Sequence, residues 1–256
     1  MLCWCDLNGL SVNIKKCCVL SFCRKRTVEM YDYNLNGRPL ERVSNFCDLG
    51  VWFDTKLCFN RHIDITTRKA SSCLGMIKRW SKEFDDPYVT KSLYVCFVRS
   101  ILEYGCQVWS PYYQCHIDRL ESVQRQFLLF ALKNLNWNDR LHLPKYEHRL
   151  LLLDLNTLKD RRTILNVTFI FKLINGSVNC NYLLSKLKFN CPFRSSRSYK
   201  PLIVSNHIRT YLNNEPLNNL CNNFNNMYFL FDFNLSIESF KLIICKYFKS
   251  QMQLCN

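Results

Sequence analysis

Six glycines in 256 residues is a low count, and the scarcity limits what the chain can do. Loops that cradle phosphates on backbone amides are built from clustered glycines, and no G-x-x-x-x-G-K-[ST] or G-x-G-x-x-G stretch occurs. P-loop phosphotransfer and Rossmann-type dinucleotide binding are set aside on that ground. G-x-S-x-G is also missing, which removes the nucleophile elbow of the α/β-hydrolases. No apolar run approaches the roughly eighteen residues of a membrane-spanning helix; "LLFAL" and "YFLFDFNL" are short. A secretory leader is not expected either, because Asp6 and the Lys15-Lys16 pair interrupt any apolar core and no basic segment precedes it. The expected location is intracellular, in the nucleus or the cytoplasm, with no membrane partner.

Paired metal ligands are missing as well. Sixteen cysteines would supply a zinc knuckle if two pairs fell at the right separation. The candidates are Cys3-x-Cys5, the adjacent Cys17-Cys18, Cys58-x3-His62 and Cys115-His116, and no two of them complete a site. The cysteines therefore read as reduced, small buried hydrophobes. "EFDDPY" invites comparison with the aromatic-x-Asp-Asp turn whose carboxylates hold metal ions in polymerases. That turn needs a residue between the aromatic and the aspartates, with a hairpin around them. Here Pro87 and a helical run follow Asp85 and Asp86, so Asp86 reads as a helix cap with Pro87 in the first turn. Asp54 with Asp64, or Glu121 with Glu147, could be offered as an acid pair, but their spacing carries no motif. No catalytic set is visible.

What the chain does have is positive charge. Lysine and arginine number 35 against 20 acidic residues, a net charge of +15 with pI near 9.2. An excess of this kind points to a polyanionic partner, nucleic acid before membrane. The basic residues cluster: Lys15, Lys16, Arg24, Lys25 and Arg26 flank the first strand candidate, while Arg68, Lys69, Lys78 and Arg79 lie along the first long helix. Such groups neutralise phosphates without reading bases. Trp4, Trp80, Trp109 and Trp137 could stack on bases, but core or partly buried packing is the better account of each, given how readily aromatics bury.

The order of elements predicts an α+β fold, mostly α: a small antiparallel β-hairpin region, then a helical body. Residues 1–57 carry a helix end and strand candidates in "VNIKKCCVLSF", "TVEMYDYNL" and "NFCDLGVWFD", with Asn36-Gly37 as a tight-turn signal. Across 58–140 the period changes. Ile63, Ala70, Leu74 and Ile77 fall at helical spacing, as do Ile117, Leu120, Val123, Phe127 and Leu128. Residues 141–256 form a third region, with helices at 145–155 and 157–175, the latter ending at Asn175-Gly176. A basic loop comes next at 190–201, then an asparagine-heavy run and a last amphipathic helix.

These segments, taken in order, resemble the C-terminal part of the reverse transcriptase of non-LTR retrotransposons, the jockey-like LINE elements. "WCDLNGLSVNIKKCCVLSFCRK" is similar to the stretch after the catalytic Asp-Asp turn, and "YDYNLNGRPLERVSNFCDLGVWFDTKLCFNRHI" to the next hairpin and strand. "ASSCLGMIKRWSKEFDD", "LYVCFVRSILEYGCQVWSPYY" and "HIDRLESVQRQFLLF" resemble the helical thumb and the region beyond it. "YEHRLLLLDLNTLKDRR" and the asparagine-rich tail fit the end of that family's chain.

The resemblance implies a right-hand fold and RNA-directed DNA polymerase ancestry. It places residues 1–57 at the end of the palm, 58–140 in the thumb and 141–256 in the C-terminal region. It further implies that Lys16 matches a lysine that assists departure of pyrophosphate, and that Leu49, Gly50 and Val51 match the strand gripping the primer end. The palm aspartates that bind magnesium in the full-length family lie upstream of the segment matching Trp4. The expectation is a truncated reverse transcriptase that binds no cofactor and does not polymerise alone. Its expected partners are RNA or an RNA–DNA hybrid, bound without sequence preference, and the palm and fingers it lacks. A nucleic-acid-binding or scaffolding protein without enzymatic activity is the alternative.

Overall fold

The computed structural model describes residues 2–26, 30–83, 86–133, 144–191 and 199–254. The fold is mostly helical with a few short strands, and the chain divides into two compact units, 1–65 and 66–256.

The first unit opens with helix α1 (Leu2–Leu7) and a 3-10 turn at Ile14–Lys16, where the Asn13 side chain accepts from the Lys15 amide at 3.1 Å. Three residues of the strand anticipated in "VNIKKCCVLSF" are thus a capped turn, and only β1 (Cys18–Val19) is assigned to a paired strand. Asn36 and Gly37 make the expected tight turn between β2 (Asn34–Leu35) and β3 (Arg38–Pro39). Both take positive φ, 50° and 73°, as the twist of a two-residue hairpin demands. Strand β4 (Glu41–Arg42) runs parallel to β1, in the register Cys18↔Glu41 and Val19↔Arg42.

"NFCDLGVWFD" is two strands rather than one. β5 (Asn45–Asp48) and β6 (Val51–Asp54) pair antiparallel around a turn at Leu49 and Gly50, with φ 45° and 83°. Two positive-φ residues in succession reverse the chain, and Gly50 accepts that conformation without strain. Beyond β6 the Asp54 carboxylate accepts from the amides of Lys56, Cys58 and Phe59 at 2.9, 3.1 and 2.8 Å. One carboxylate therefore shapes the loop 55–59 and leads into the first turn of helix α2 (Asn60–Trp80). This accounts for Asp54 without an acid pair.

In the second unit, α2 buries Ala70, Leu74 and Ile77 on one face. Asp86 caps helix α3 (Pro87–Leu93) by accepting from the Tyr88 amide at 2.8 Å. The helix then widens into a π segment, Tyr94–Arg99, before α4 (Ser100–Glu103) and α5 (Cys106–Trp109). Helix α6 (Gln114–Ala131) buries Ile117, Leu120, Val123, Phe127 and Leu128, the residues spaced for one face. After α7 (Tyr146–Leu152), helix α8 (Leu158–Ile174) is the axis of the unit and packs against α4, α5 and α6 as well as the C-terminal helices. It ends at Asn175-Gly176, where Gly176 takes φ 69°.

Helices α9 (Asn181–Lys186), α10 (Thr210–Asn213), α11 (Pro216–Met227) and α12 (Ile237–Leu254) complete the chain. Ile170 and Leu173 of α8 meet Leu220, Cys221 and Phe224 of α11. On the other side Phe171 stacks on Phe240 of α12, ring centroids 4.1 Å apart. No helix among the described residues is long and apolar enough to cross a membrane.

Candidate nucleic-acid interface

The first unit contains a cleft of about 740 Å³. Its walls come from the extended segment after β1 (Ser21, Cys23, Arg24, Lys25 and Arg26), Met30, the β4–β5 link (Arg42, Val43 and Ser44), and Thr55 and Lys56 beyond β6. Two sets of backbone contacts bring these stretches together. On one side β1 pairs with β4, extended by the Val43 amide donating to the Val19 carbonyl at 2.9 Å. On the other, the Cys23 amide donates to the Thr55 carbonyl at 2.9 Å. The segment 20–26 is held between them.

Five of the lining residues are cationic, and none of the described lining residues is acidic. They divide by role. Arg42 braces the wall: its guanidinium donates to the Ser21 hydroxyl and, at 2.6 Å, to the Tyr31 carbonyl. Arg24 ties the opposite side by donating to the Lys56 carbonyl. Lys25, Arg26 and Lys56 are exposed and make no ion pair or side-chain hydrogen bond among the described residues. Positive charges held side by side without carboxylates repel one another, and an anion in the cleft relieves that repulsion. Hydroxyls from Ser21, Ser44 and Thr55 add neutral donors to the same walls.

Of the residues anticipated to touch nucleic acid, the cleft collects Arg24 and Lys25. Lys15 and Lys16 are exposed on the 3-10 turn, outside the cleft lining. In the second unit, Arg68, Lys69 and Arg79 are exposed on α2. Arg68 and Arg79, eleven residues apart, share one side of the helix, opposite the buried Ala70 and Leu74. Lys78 is half-buried, its ammonium 6.0 Å from the Phe130 ring. Leu49 and Gly50 occupy the tip of a hairpin, Leu49 exposed and Val51 buried beside it. Much of the basic loop, 192–198, and Trp137 lie outside the described residues. Trp109 is core, its indole N–H donating to the Tyr104 carbonyl at 2.8 Å, whereas Trp4 and Trp80 are exposed.

Arg42 and Lys56 were not anticipated. Arg42 sits in "RPLERV", which reads as strand, and Lys56 in a turn. Only the β1–β4 pairing and the Asp54 loop bring them to the cleft, and neither leaves a pattern in the sequence.

The second unit holds a denser polar assembly, buried and structural. Tyr94 donates to Gln124 at 2.8 Å, Gln124 donates to the Tyr146 hydroxyl and to the Asn156 carbonyl at 3.0 Å each, and Tyr146 donates to Glu121 at 2.6 Å. Glu121 also accepts from the Lys159 amide at 2.8 Å, which puts a carboxylate at the amino end of α8, where the helix dipole favours it. Glu103 takes a bidentate pair from Arg161, at 2.7 and 2.8 Å. The π winding brings Tyr94 and Arg99, five residues apart, to the same side, and Arg99 lies 3.6 Å from Glu103. Burial pushes the Cys106 thiol up to about 12 and raises Asp160 from its ordinary value. Tyr94, Gln124, Tyr146 and Glu121 satisfy one another, whereas two guanidinium nitrogens of the buried Arg162 have no hydrogen-bond partner among the described residues.

Magnesium, the ion of the family resembled, needs oxygen ligands, usually carboxylates. The cleft offers hydroxyls and cations, so its residues do not fit that ion, and no cluster of three His, Cys, Asp or Glu suited to a metal occurs among the described residues. Compared with protein-family models, curated proteins and solved structures, the chain matches none.

Proposed function

We propose that the chain binds nucleic acid through phosphate contacts in the cleft of the first unit. We further propose that it derives from the palm end, thumb and C-terminal region of a non-LTR retrotransposon reverse transcriptase. One observation carries the binding: five cations, and no carboxylate among the described residues, line a single cleft. A cleft lined by one sign of charge concentrates counter-ions, and a polyanion that enters releases its own condensed cations to bulk. Arg24 and Arg42 tie the walls together, while Lys25, Arg26 and Lys56 meet phosphate oxygens. Readout is of charge, not sequence. The exposed Arg68, Lys69 and Arg79 of α2 are a second set of phosphate contacts.

The retrotransposon ancestry rests on the ordered sequence segments that resemble that family, with the net charge of +15 in keeping with it. In this reading Lys16 and the hairpin tip at Leu49–Val51 are supporting parts of a polymerase, and they do not transfer nucleotides by themselves. Primer extension on a poly(A) template with magnesium is expected to give no incorporation above a heat-killed control.

Filter binding of an RNA oligonucleotide across a salt series tests the interface. Apparent affinity should fall steeply with salt, with a log–log slope of roughly −0.7 per phosphate neutralised on a single strand. The triple variant K25A/R26A/K56A should flatten that slope by about two. Binding indifferent to salt, or a triple variant with an unchanged slope, would remove the cleft as the contact surface.

A further inference from the structure

We infer that the cleft takes single-stranded nucleic acid in preference to a duplex, with Tyr31 and Tyr33 as the platform for an unstacked base. This rests on the proposed phosphate-binding role of the cleft and narrows its ligand. Met30 lines the cleft, and Tyr31 is its neighbour; the Tyr31 carbonyl is fixed by Arg42, itself a lining residue. The Tyr31 and Tyr33 rings meet edge to face, centroids 4.9 Å apart and planes 70° apart. Despite that contact they remain 68% and 50% exposed.

An edge-to-face pair covers part of one ring face and leaves others open, and tyrosine rings are normally drawn under cover. Here the pair stands at the foot of the β2–β3 hairpin. The Leu40 amide donates to the Tyr33 carbonyl at 2.8 Å, and Tyr33 runs directly into β2. The rings are therefore mounted on hydrogen-bonded backbone that Arg42 ties to the cleft wall.

Cations along a backbone track with aromatic faces beside it is the arrangement that holds single strands: phosphates are neutralised while bases stack on the rings. A duplex cannot use the rings, because its bases already stack on one another. Free phosphate or a sulfated polysaccharide would use the cations and ignore the rings. The tyrosines thus separate a single strand from every other polyanion.

The test uses the full chain and fluorescence anisotropy at one fixed salt concentration. The probes are a labelled oligo(U) single strand, an RNA–DNA hybrid duplex of the same length, and heparin as competitor. Wild type should bind the single strand more tightly than the hybrid. Y31A/Y33A should lose roughly ten-fold or more in single-strand affinity, with hybrid binding and heparin competition within two-fold of wild type. Y31F/Y33F keeps the rings and should keep the single-strand affinity, which separates stacking from a disturbed hairpin. K25A/K56A should weaken all three ligands together. Equal binding of strand and hybrid by wild type, or a Y31A/Y33A loss shared equally by both, overturns the inference and leaves the phosphate reading standing. Absence of any salt-dependent binding by wild type overturns both.

Discussion

Asn225 lies in the asparagine-rich run 213–226, where composition alone suggests a sticky or solvated stretch. In the fold its amide does the work of a neighbouring strand. The Oδ1 atom accepts from the Leu202 amide at 2.9 Å and Nδ2 donates to the Leu202 carbonyl at 2.8 Å, both at a buried position. Asn213 does the same for His207, at 2.6 and 2.7 Å. An asparagine side chain presents an N–H and a C=O side by side, as a peptide group does, so helices can pin an extended segment that has no strand on that side. Replacing Asn225 by alanine strands a buried N–H and a buried C=O together. The expected loss is about 2 kcal/mol of stability in urea unfolding. Asn223→Ala, which removes only a contact with Asn219, should stay within about 0.5 kcal/mol of wild type. Equal effects would mean that the amide pairing contributes nothing special.

At the scale of elements, local chemistry was legible and long-range pairing was not. The Asp86 cap with Pro87, the Asn36-Gly37 turn, the Asn175-Gly176 stop and the buried stripes of α2 and α6 all come from residues a few positions apart. The features that escaped were set by partners far along the chain. The parallel β1–β4 pair joins residues with no shared pattern, and the π segment depends on where Tyr94 and Arg99 must both reach. The β5–β6 turn escaped for a different reason: leucine is a poor indicator of positive φ, and a Leu-Gly pair reads as strand. That misfit is testable. Leu49 holds φ 45°, a conformation that costs a non-glycine residue roughly 1 kcal/mol and that asparagine tolerates. Leu49→Asn should therefore slow hydrogen exchange across the Phe46↔Phe53 pair, corresponding to about 1 kcal/mol of added hairpin stability. If Leu49 instead grips a primer strand, the same variant should weaken hybrid binding, so one protein preparation decides between the two roles.

Over the whole molecule, burial is unevenly shared. Among the described residues of the first unit, Val51, His62 and Ile63 are buried, while Trp4, Leu7, Leu10, Phe22, Met30 and Leu49 are exposed. The second unit closes several layers around α8, with Phe171, Phe240, Leu120, Phe127 and Trp109 out of water. Apolar burial is the main favourable term in folding, about 25 cal/mol per Å², so the two units should open at different free energies. Hydrogen exchange followed by mass spectrometry should show amides of β1–β6 exchanging orders of magnitude faster than those of α6 and α8. Comparable protection across both would contradict the uneven core.

The parallel pairing of β1 with β4 also has a meaning in time. The β2–β3 and β5–β6 hairpins close on their own two-residue turns, the kind of event completed in about 1–10 μs. Cys18 meets Glu41 only after the whole intervening chain has been drawn into a loop, at a higher entropic cost and a slower rate. Ser21 through Arg26 and Arg42 through Ser44 hang from that last pairing. The two hairpins therefore close before the β1–β4 pairing draws the walls of the cleft together.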